Sequence, residues 1–228
     1  MEIIMMNWIL PQTCLLCYQK SDQRIDLCRD CENELPFITH ACLSCGTPLP
    51  IHTPICGQCL QQPLPYNNTF ALFTYHPPIT KLIYDLKFNR KLVNAKILGD
   101  LMAKYLKFEN KPVYIIPVPL HHKRLCERGF NQALEIARPI AKKFKVPLAI
   151  KSCKRIKHTD AQAMVPKNKR KKNIKNAFVI DANFTPHSVV ILDDVVTTGQ
   201  TVLELARVLR DNGIQKIDIW CCAKTVIK

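Results

Sequence analysis

Acidic residues are scarce in this chain: 18 Asp and Glu stand against 33 Lys and Arg, for a formal net charge of +15. The imbalance points to a polyanionic partner, whether nucleic acid, a phosphorylated substrate or an anionic membrane surface, unless it serves only solubility. Glycine is scarcer still, six in 228 residues, so each one is expected to have a positional job. No run reaches the roughly 18 apolar residues of a membrane span. The apolar stretch Ile3 to Leu10 is broken by Asn7 and stopped by Pro11, with Glu2 where a secretion signal carries basic residues. It reads as a helical turn packed on the body. A cytoplasmic location follows, and disulfides are rare there. With 47% hydrophobic and 22% charged residues, the composition excludes a fully disordered chain.

Cysteine, by contrast, is abundant. Eight of the twelve fall in four CxxC pairs: Cys14/Cys17, Cys28/Cys31, Cys42/Cys45 and Cys56/Cys59. Each cysteine of the first two pairs recurs 28 residues later, so the segment is an internal repeat of a zinc-ribbon-like unit. Two residues between cysteines let one knuckle aim two thiolates at one ion, and two knuckles complete a tetrahedral site. Two zinc ions are expected, both structural, because four thiolates leave no open position. A redox CxxC or an iron–sulfur cluster is the competing reading. Spacing leaves open whether each half holds its own ion or the halves interleave. His40 and His52 read as loop residues. Residues 1–62 form this module, Gln61 to Asn68 the linker, and residues 69–228 a second domain.

The second domain alternates strands and helices, which argues a mostly parallel α/β sheet flanked by helices. Strands are expected at Thr69–Tyr75, Val113–Pro119, Leu148–Cys153, Ala177–Ile180, Val189–Leu192 and Ile214–Ala223. Helices are expected at Ile79–Asn89, Leu92–Phe108, Asn131–Phe144 (kinked at Pro139) and Thr201–Asp211. Cys153, Cys221 and Cys222 read as buried free thiols.

The most specific stretch is VVILDDVVTTGQT, Val189 to Thr201. An apolar strand ends in Asp193 and Asp194, at the sheet edge where α/β proteins bind ligands. Thr197, Thr198, Gly199, Gln200 and Thr201 then turn into a helix, presenting N–H groups and hydroxyls to an anion. Apolar strand, Asp-Asp, Val195-Val196 and Thr-Thr-Gly resemble the phosphoribosyl pyrophosphate (PRPP) motif of type I phosphoribosyltransferases. The resemblance implies that Thr197 to Thr201 hold the 5′-phosphate, that Val195 and Val196 belong to the same PRPP-binding stretch, and that Asp193 and Asp194 take the ribose hydroxyls. Magnesium would be held mainly by oxygens of the PRPP itself.

The whole arrangement is similar to the competence protein F family, whose members are associated with uptake and handling of single-stranded DNA. The similarity rests on the cysteine repeat, the central VPVPLHHKRLCERGFNQA and the C-terminal Asp-Asp motif. It implies a pyrophosphate loop within Pro117 to Arg128, with Pro119, Lys123, Arg124 and Arg128 as its contacts. Asn131 is placed to cap the following helix. Lys87-Phe88 resembles a Lys-Phe pair of the family.

Lys151 to Lys175 carries a net charge of +9 and matches in position the catalytic loop of type I phosphoribosyltransferases. Its Lys167, Lys169, Arg170, Lys171 and Lys172 are the candidate nucleic-acid contacts, since a bound polyanion relieves such a run. Phe88, Phe130 and Phe178 are the nearest stacking candidates, each read as core. Two functions stay open. One is a PRPP-binding protein of competence that handles single-stranded DNA, with other competence proteins as further partners. The other is an active phosphoribosyltransferase with a nitrogenous acceptor.

Overall fold

A computed structural model describes residues 12–23, 25–50, 53–108, 110–158 and 174–226. The chain divides into two compact units, Met1–Pro36 and Phe37–Lys228. The expected turn at Ile3 to Leu10, His52, and the candidate contacts Lys167, Lys169, Arg170, Lys171 and Lys172 lie outside the described residues.

Among the described residues of the first unit few apolar side chains are buried. Leu27 and Leu35 are its buried leucines. Polar contacts fill the gap: Ser21 Oγ donates 2.9 Å bonds shared between the carbonyls of Ile25 and Leu27, and Gln23 Nε2 reaches Glu32 Oε2 at 2.7 Å. Its knuckle closes with Cys14 N–H on Gln19 O at 2.8 Å and Tyr18 N–H on Cys14 O at 2.9 Å. Helix α1, Arg29–Asn33, starts on the residue after Cys28.

The second unit opens with the other half of the repeat. Helix α2, Gly57–Gln61, starts on the residue after Cys56, so the repeat in sequence is a repeat in structure. There follow β1 (Thr69–Thr74), α3 (Ile79–Phe88), α4 (Leu92–Tyr105), β2 (Tyr114–Pro117), α5 (His122–Arg128) and α6 (Gln132–Phe144). The chain continues with β3 (Cys153–Arg155), β4 (Phe178–Ile180), β5 (Ser188–Val196), α7 (Gln200–Asp211) and β6 (Lys216–Lys224). The second knuckle is bound to the start of β1: Thr69 N–H donates to Leu43 O at 2.7 Å and Thr69 Oγ1 to Ser44 O at 2.6 Å.

Four strands pair in the order β1-β6-β5-β2, all parallel, with Leu192 opposite Trp220 and Ile191 opposite Ile116. A parallel sheet covered on both faces needs apolar runs rather than alternation, and Val189 to Leu192 and Trp220 to Ala223 supply them, all buried. On one face Val202, Leu205, Ala206 and Leu209 of α7 pack on Val189, Ile191, Ile217 and Ile219. On the other, α4 and α6 cross closely. A Cβ on Gly99 of α4 would stand 2.5 Å from the Ile136 carbonyl and 2.9 Å from Pro139 Cγ. That glycine, unassigned by the sequence, is where α6 touches α4.

Three boundaries differ from expectation. The strand expected at Leu148–Cys153 is a single bridge from Leu148 to Ile115, followed by β3 paired antiparallel with β4. Strand β5 runs on through Asp193 and Asp194 to Val196, because the pairing with β6 continues from Asp193–Cys221 to Val196–Lys224. The stretch read as a loop from Pro117 to Arg128 contains α5, which buries no residue and so shows no apolar period.

Candidate ligand cleft and cysteine centres

Asp193 and Asp194 stand near the C-terminal end of β5 over a cleft of about 290 Å³. Its walls also carry Lys87, Phe88, Arg124, Arg128, Arg155 and the turn into α7. Lys87, on the last turn of α3, forms an ion pair with Asp194 Oδ2. Asp193 Oδ1 accepts from Asp194 N–H at 2.9 Å. Burial works against both carboxylates. In Asp193 burial and the neighbouring Asp194 charge push the pKa well above the ordinary carboxylate value. In Asp194 the Lys87 ammonium outweighs burial and holds the pKa below it. Lys87 is raised in turn, since the Asp194 charge overcomes its own burial. Two adjacent acids are thus shifted in opposite directions, as close like charges and one shared cation favour.

Val195 and Val196 at the end of β5, Thr197 and Gly199 of the turn, and Gln200 and Thr201 at the start of α7 line the same cleft. Gly199 is the N-cap of α7 with φ +75°, a left-handed conformation that a side chain disfavours. Thr198 faces elsewhere. It lines a neighbouring cleft of about 690 Å³ with Cys45, Cys59, Gln58 and Lys224, where its buried Oγ1 has no hydrogen-bond partner.

Of the four residues expected on the pyrophosphate loop, Arg124 and Arg128 line the cleft, whereas Pro119 and Lys123 do not. Lys123 instead gives its N–H to His121 Nδ1 at 3.3 Å, the cap of α5, and its side chain is exposed. Asn131 caps α6 as expected, its Oδ1 accepting from Ala133 N–H at 3.0 Å. Arg128 is lowered by burial against the pull of Asp194, and Arg155 by burial and the repulsion of Arg124. Crowded, desolvated guanidinium groups around one cavity are relieved by a multivalent anion.

Sequence reasoning missed Arg155 and misread Phe88. Arg155 ends β3, beyond the strand expected there, and no local motif marks it. Phe88, expected in the core, is 60% exposed at the rim of the cleft. Phe178 is buried as expected, while Phe130 is half-buried. Cys153, Cys221 and Cys222 are buried, and burial raises Cys153 and Cys221 to about 12. They are inert thiols.

The other eight cysteines gather by halves. Cys14, Cys17, Cys28 and Cys31 form one tetrad and Cys42, Cys45, Cys56 and Cys59 the other, each with all sulfurs within 4.8 Å of one another. This resolves the pairing left open by spacing. A regular tetrahedron with ~2.3 Å zinc–sulfur arms has edges of about 3.8 Å. The Cys17–Cys28 and Cys45–Cys56 sulfurs are 3.7 and 3.8 Å apart. Burial opposes ionisation of Cys14, yet the N–H groups of Cys17, Cys28 and Leu16 outweigh it and lower its pKa to about 6. The same balance lowers Cys42 to about 7, with Cys56 and Cys45 N–H groups prominent. Both tetrads are consistent with structural zinc ions.

Residues 5–60 match the double zinc ribbon domain and residues 127–225 the phosphoribosyl transferase domain. The chain is 32% identical over 225 residues to the DNA utilization protein YhgH of Escherichia coli (strain K12), covering 95% of this chain and 99% of that one. It is 32% identical over 207 residues to competence protein F of Haemophilus influenzae, covering 87% and 90%. Among solved structures it is similar to the purine phosphoribosyltransferase of Pyrococcus horikoshii, at 20% identity and a TM-score of 0.31, over 61% of this chain and 73% of that one. Among the described residues, no helix is long and apolar enough to cross a membrane.

Proposed function

The chain belongs to the family of competence protein F and the DNA utilization protein YhgH, and from that premise we propose that it binds PRPP in the β5 cleft and handles single-stranded DNA during transformation. The observation that carries this reading is the convergence of the acid pair, the turn into α7, and Arg124, Arg128 and Arg155 on one cavity. A sugar diol needs acceptors beside a phosphate cradle, and a diphosphate needs cations opposite. Asp193 and Asp194 accept from the ribose hydroxyls. The N–H groups of the turn into α7 and the hydroxyls of Thr197 and Thr201 take the 5′-phosphate. The arginines take the diphosphate, with magnesium carried on the PRPP oxygens. Exposed Lys123 meets phosphate only at the rim. The basic run Lys167, Lys169, Arg170, Lys171 and Lys172 grips the DNA backbone, and a cytoplasmic location fits the reduced cysteines.

A second reading, transfer of ribose 5-phosphate to a nitrogen nucleophile, is favoured by the Lys87–Asp194 ion pair, which lowers the Asp194 pKa. Asp194, held ionised, stabilises a developing oxocarbenium charge, and the arginines stabilise the departing pyrophosphate.

One experiment addresses both. PRPP titration of Asp193→Asn with Asp194→Asn should show no binding. DNA titration of the variant with Lys167, Lys169, Arg170, Lys171 and Lys172 replaced by Ala should show weaker affinity and a flatter salt dependence. An unchanged salt slope removes the run from the DNA site. Release of pyrophosphate from PRPP, with and without single-stranded DNA or free bases, decides for turnover.

A further inference from the structure

Helix α3 leaves two large rings in water. Tyr84 is 56% exposed and Phe88 60%. They are i and i+4 neighbours on one helical face, with centroids 4.8 Å apart and planes inclined at 41°. The guanidinium of Arg128 lies 5.9 Å from the centre of the Phe88 ring. Phe88 and Arg128 both line the β5 cleft, together with Arg124 and Arg155. Tyr84 does not, so the apolar strip leads from the cleft outward along the helix. Two exposed aromatic rings in a row, one of them beside a guanidinium, are informative where single exposed apolar residues are not.

The strip is held in place from beneath. The preceding residue, Lys87, is tied to Asp194 in the floor of the cleft. The turn after α3 is fixed by Asn89 Nδ2 and Lys91 Nζ on Asp85, at 2.7 and 3.0 Å. Arg90 Nη2 donates to Glu127 O at 3.0 Å, which couples that turn to the end of α5 where Arg128 sits. Phe88 and Arg128 therefore keep their relation without a ligand.

We propose that Tyr84 and Phe88, with Arg128 beside the Phe88 ring, form a stacking platform for unpaired bases of single-stranded DNA at the rim of the cleft, outside the arginine wall that takes the diphosphate. The proposal rests on the DNA-handling reading above and adds to it the place where bases touch the protein. Every base offers a π-face, so a ring pair backed by a guanidinium takes bases regardless of sequence. The open face suits a strand that enters and leaves. A free base is instead recognised by polar groups gathered around its edge in an enclosing pocket, and Tyr84 stands outside the cleft. Bases within a duplex are stacked on one another and cannot reach the rings.

The test uses the full-length chain and three probes: oligothymidylate, an abasic strand of equal length, and thymidine. Wild type should bind oligothymidylate about tenfold more tightly than the abasic strand. Tyr84→Ala with Phe88→Ala should erase that preference, leaving abasic affinity, salt slope and melting temperature unchanged. Phe88→Trp should restore the preference, and 2-aminopurine placed in the strand should lose fluorescence on wild type but not on the double alanine variant. If both strands bind wild type equally, or the double variant keeps the preference, the platform is wrong while the DNA-handling reading survives. If neither strand binds wild type, both are wrong. If the double variant loses thymidine binding but not strand preference, the rings serve a free base and the proposal is overturned.

Discussion

Asp193 and Asp194 are neighbours in sequence with opposite titration behaviour, and this has a consequence for stability. The native pKa of Asp193 is raised and that of Asp194 lowered. A raised acid gives stability that is present at low pH and lost as pH rises from the ordinary carboxylate range through the native value. Asp193→Asn should therefore melt higher than wild type at neutral pH, with the gap closing as pH falls from the raised native value to the ordinary carboxylate range. Asp194 has the reverse sign: its stabilisation is present above the ordinary range and lost as pH falls toward its lowered value. Asp194→Asn should cost about 3 kcal/mol at neutral pH, because Lys87 is left largely buried without its counter-charge. Thermal melts of both variants across pH check the pair, and a higher melting temperature for Asp194→Asn would sink the assignment. The acid pair and Thr-Thr-Gly were legible from sequence because their chemistry lies within one strand and one turn. Lys87 was suspected only through a resemblance. Arg155 was not seen, since strand pairing across the sheet edge, not chain neighbourhood, brings it to the cleft.

Elements show the same division between local and non-local information. The parallel strands were readable because burial on both faces writes continuous apolar runs. Helix α5 was not, because it buries nothing and its residues read equally well as a basic loop. The exposure of Phe88 was illegible for a related reason. Ile79, Leu82, Ile83 and Leu86 form the buried stripe of α3, and a phenylalanine next to that stripe reads as part of it. The α4–α6 crossing offers a direct check on packing. Gly99→Ala must displace the Ile136 carbonyl or Pro139. Overpacking of this kind costs about 2 kcal/mol. Chemical denaturation should show a lower midpoint with an unchanged slope, whereas an unchanged midpoint would mean that the helices separate at no cost.

At the scale of the whole molecule, the charge of +15 and the twelve cysteines proved to be positional rather than compositional. Four of the cations line a cleft, and eight cysteines form two tetrads. The two halves of the repeat differ in setting. The first tetrad lies in the unit Met1–Pro36, the second in the unit that holds the sheet. Cys45→Ser with Cys59→Ser should lower the melting temperature of the sheet-bearing unit, followed by far-ultraviolet circular dichroism of its helices. A strong chelator should do the same to wild type. If the variant and wild type melt together in excess zinc, the second centre does not support the sheet.

The bonds from Thr69 to the second knuckle tie the sheet that carries the β5 cleft to a cysteine tetrad whose geometry suits zinc. Metal affinity in such a centre is folding free energy. Each tenfold change in free zinc above its dissociation constant then shifts the stability of the sheet by about 1.4 kcal/mol. The supply of a trace metal becomes a thermodynamic variable of a cleft built from an acid pair, arginines and a glycine turn.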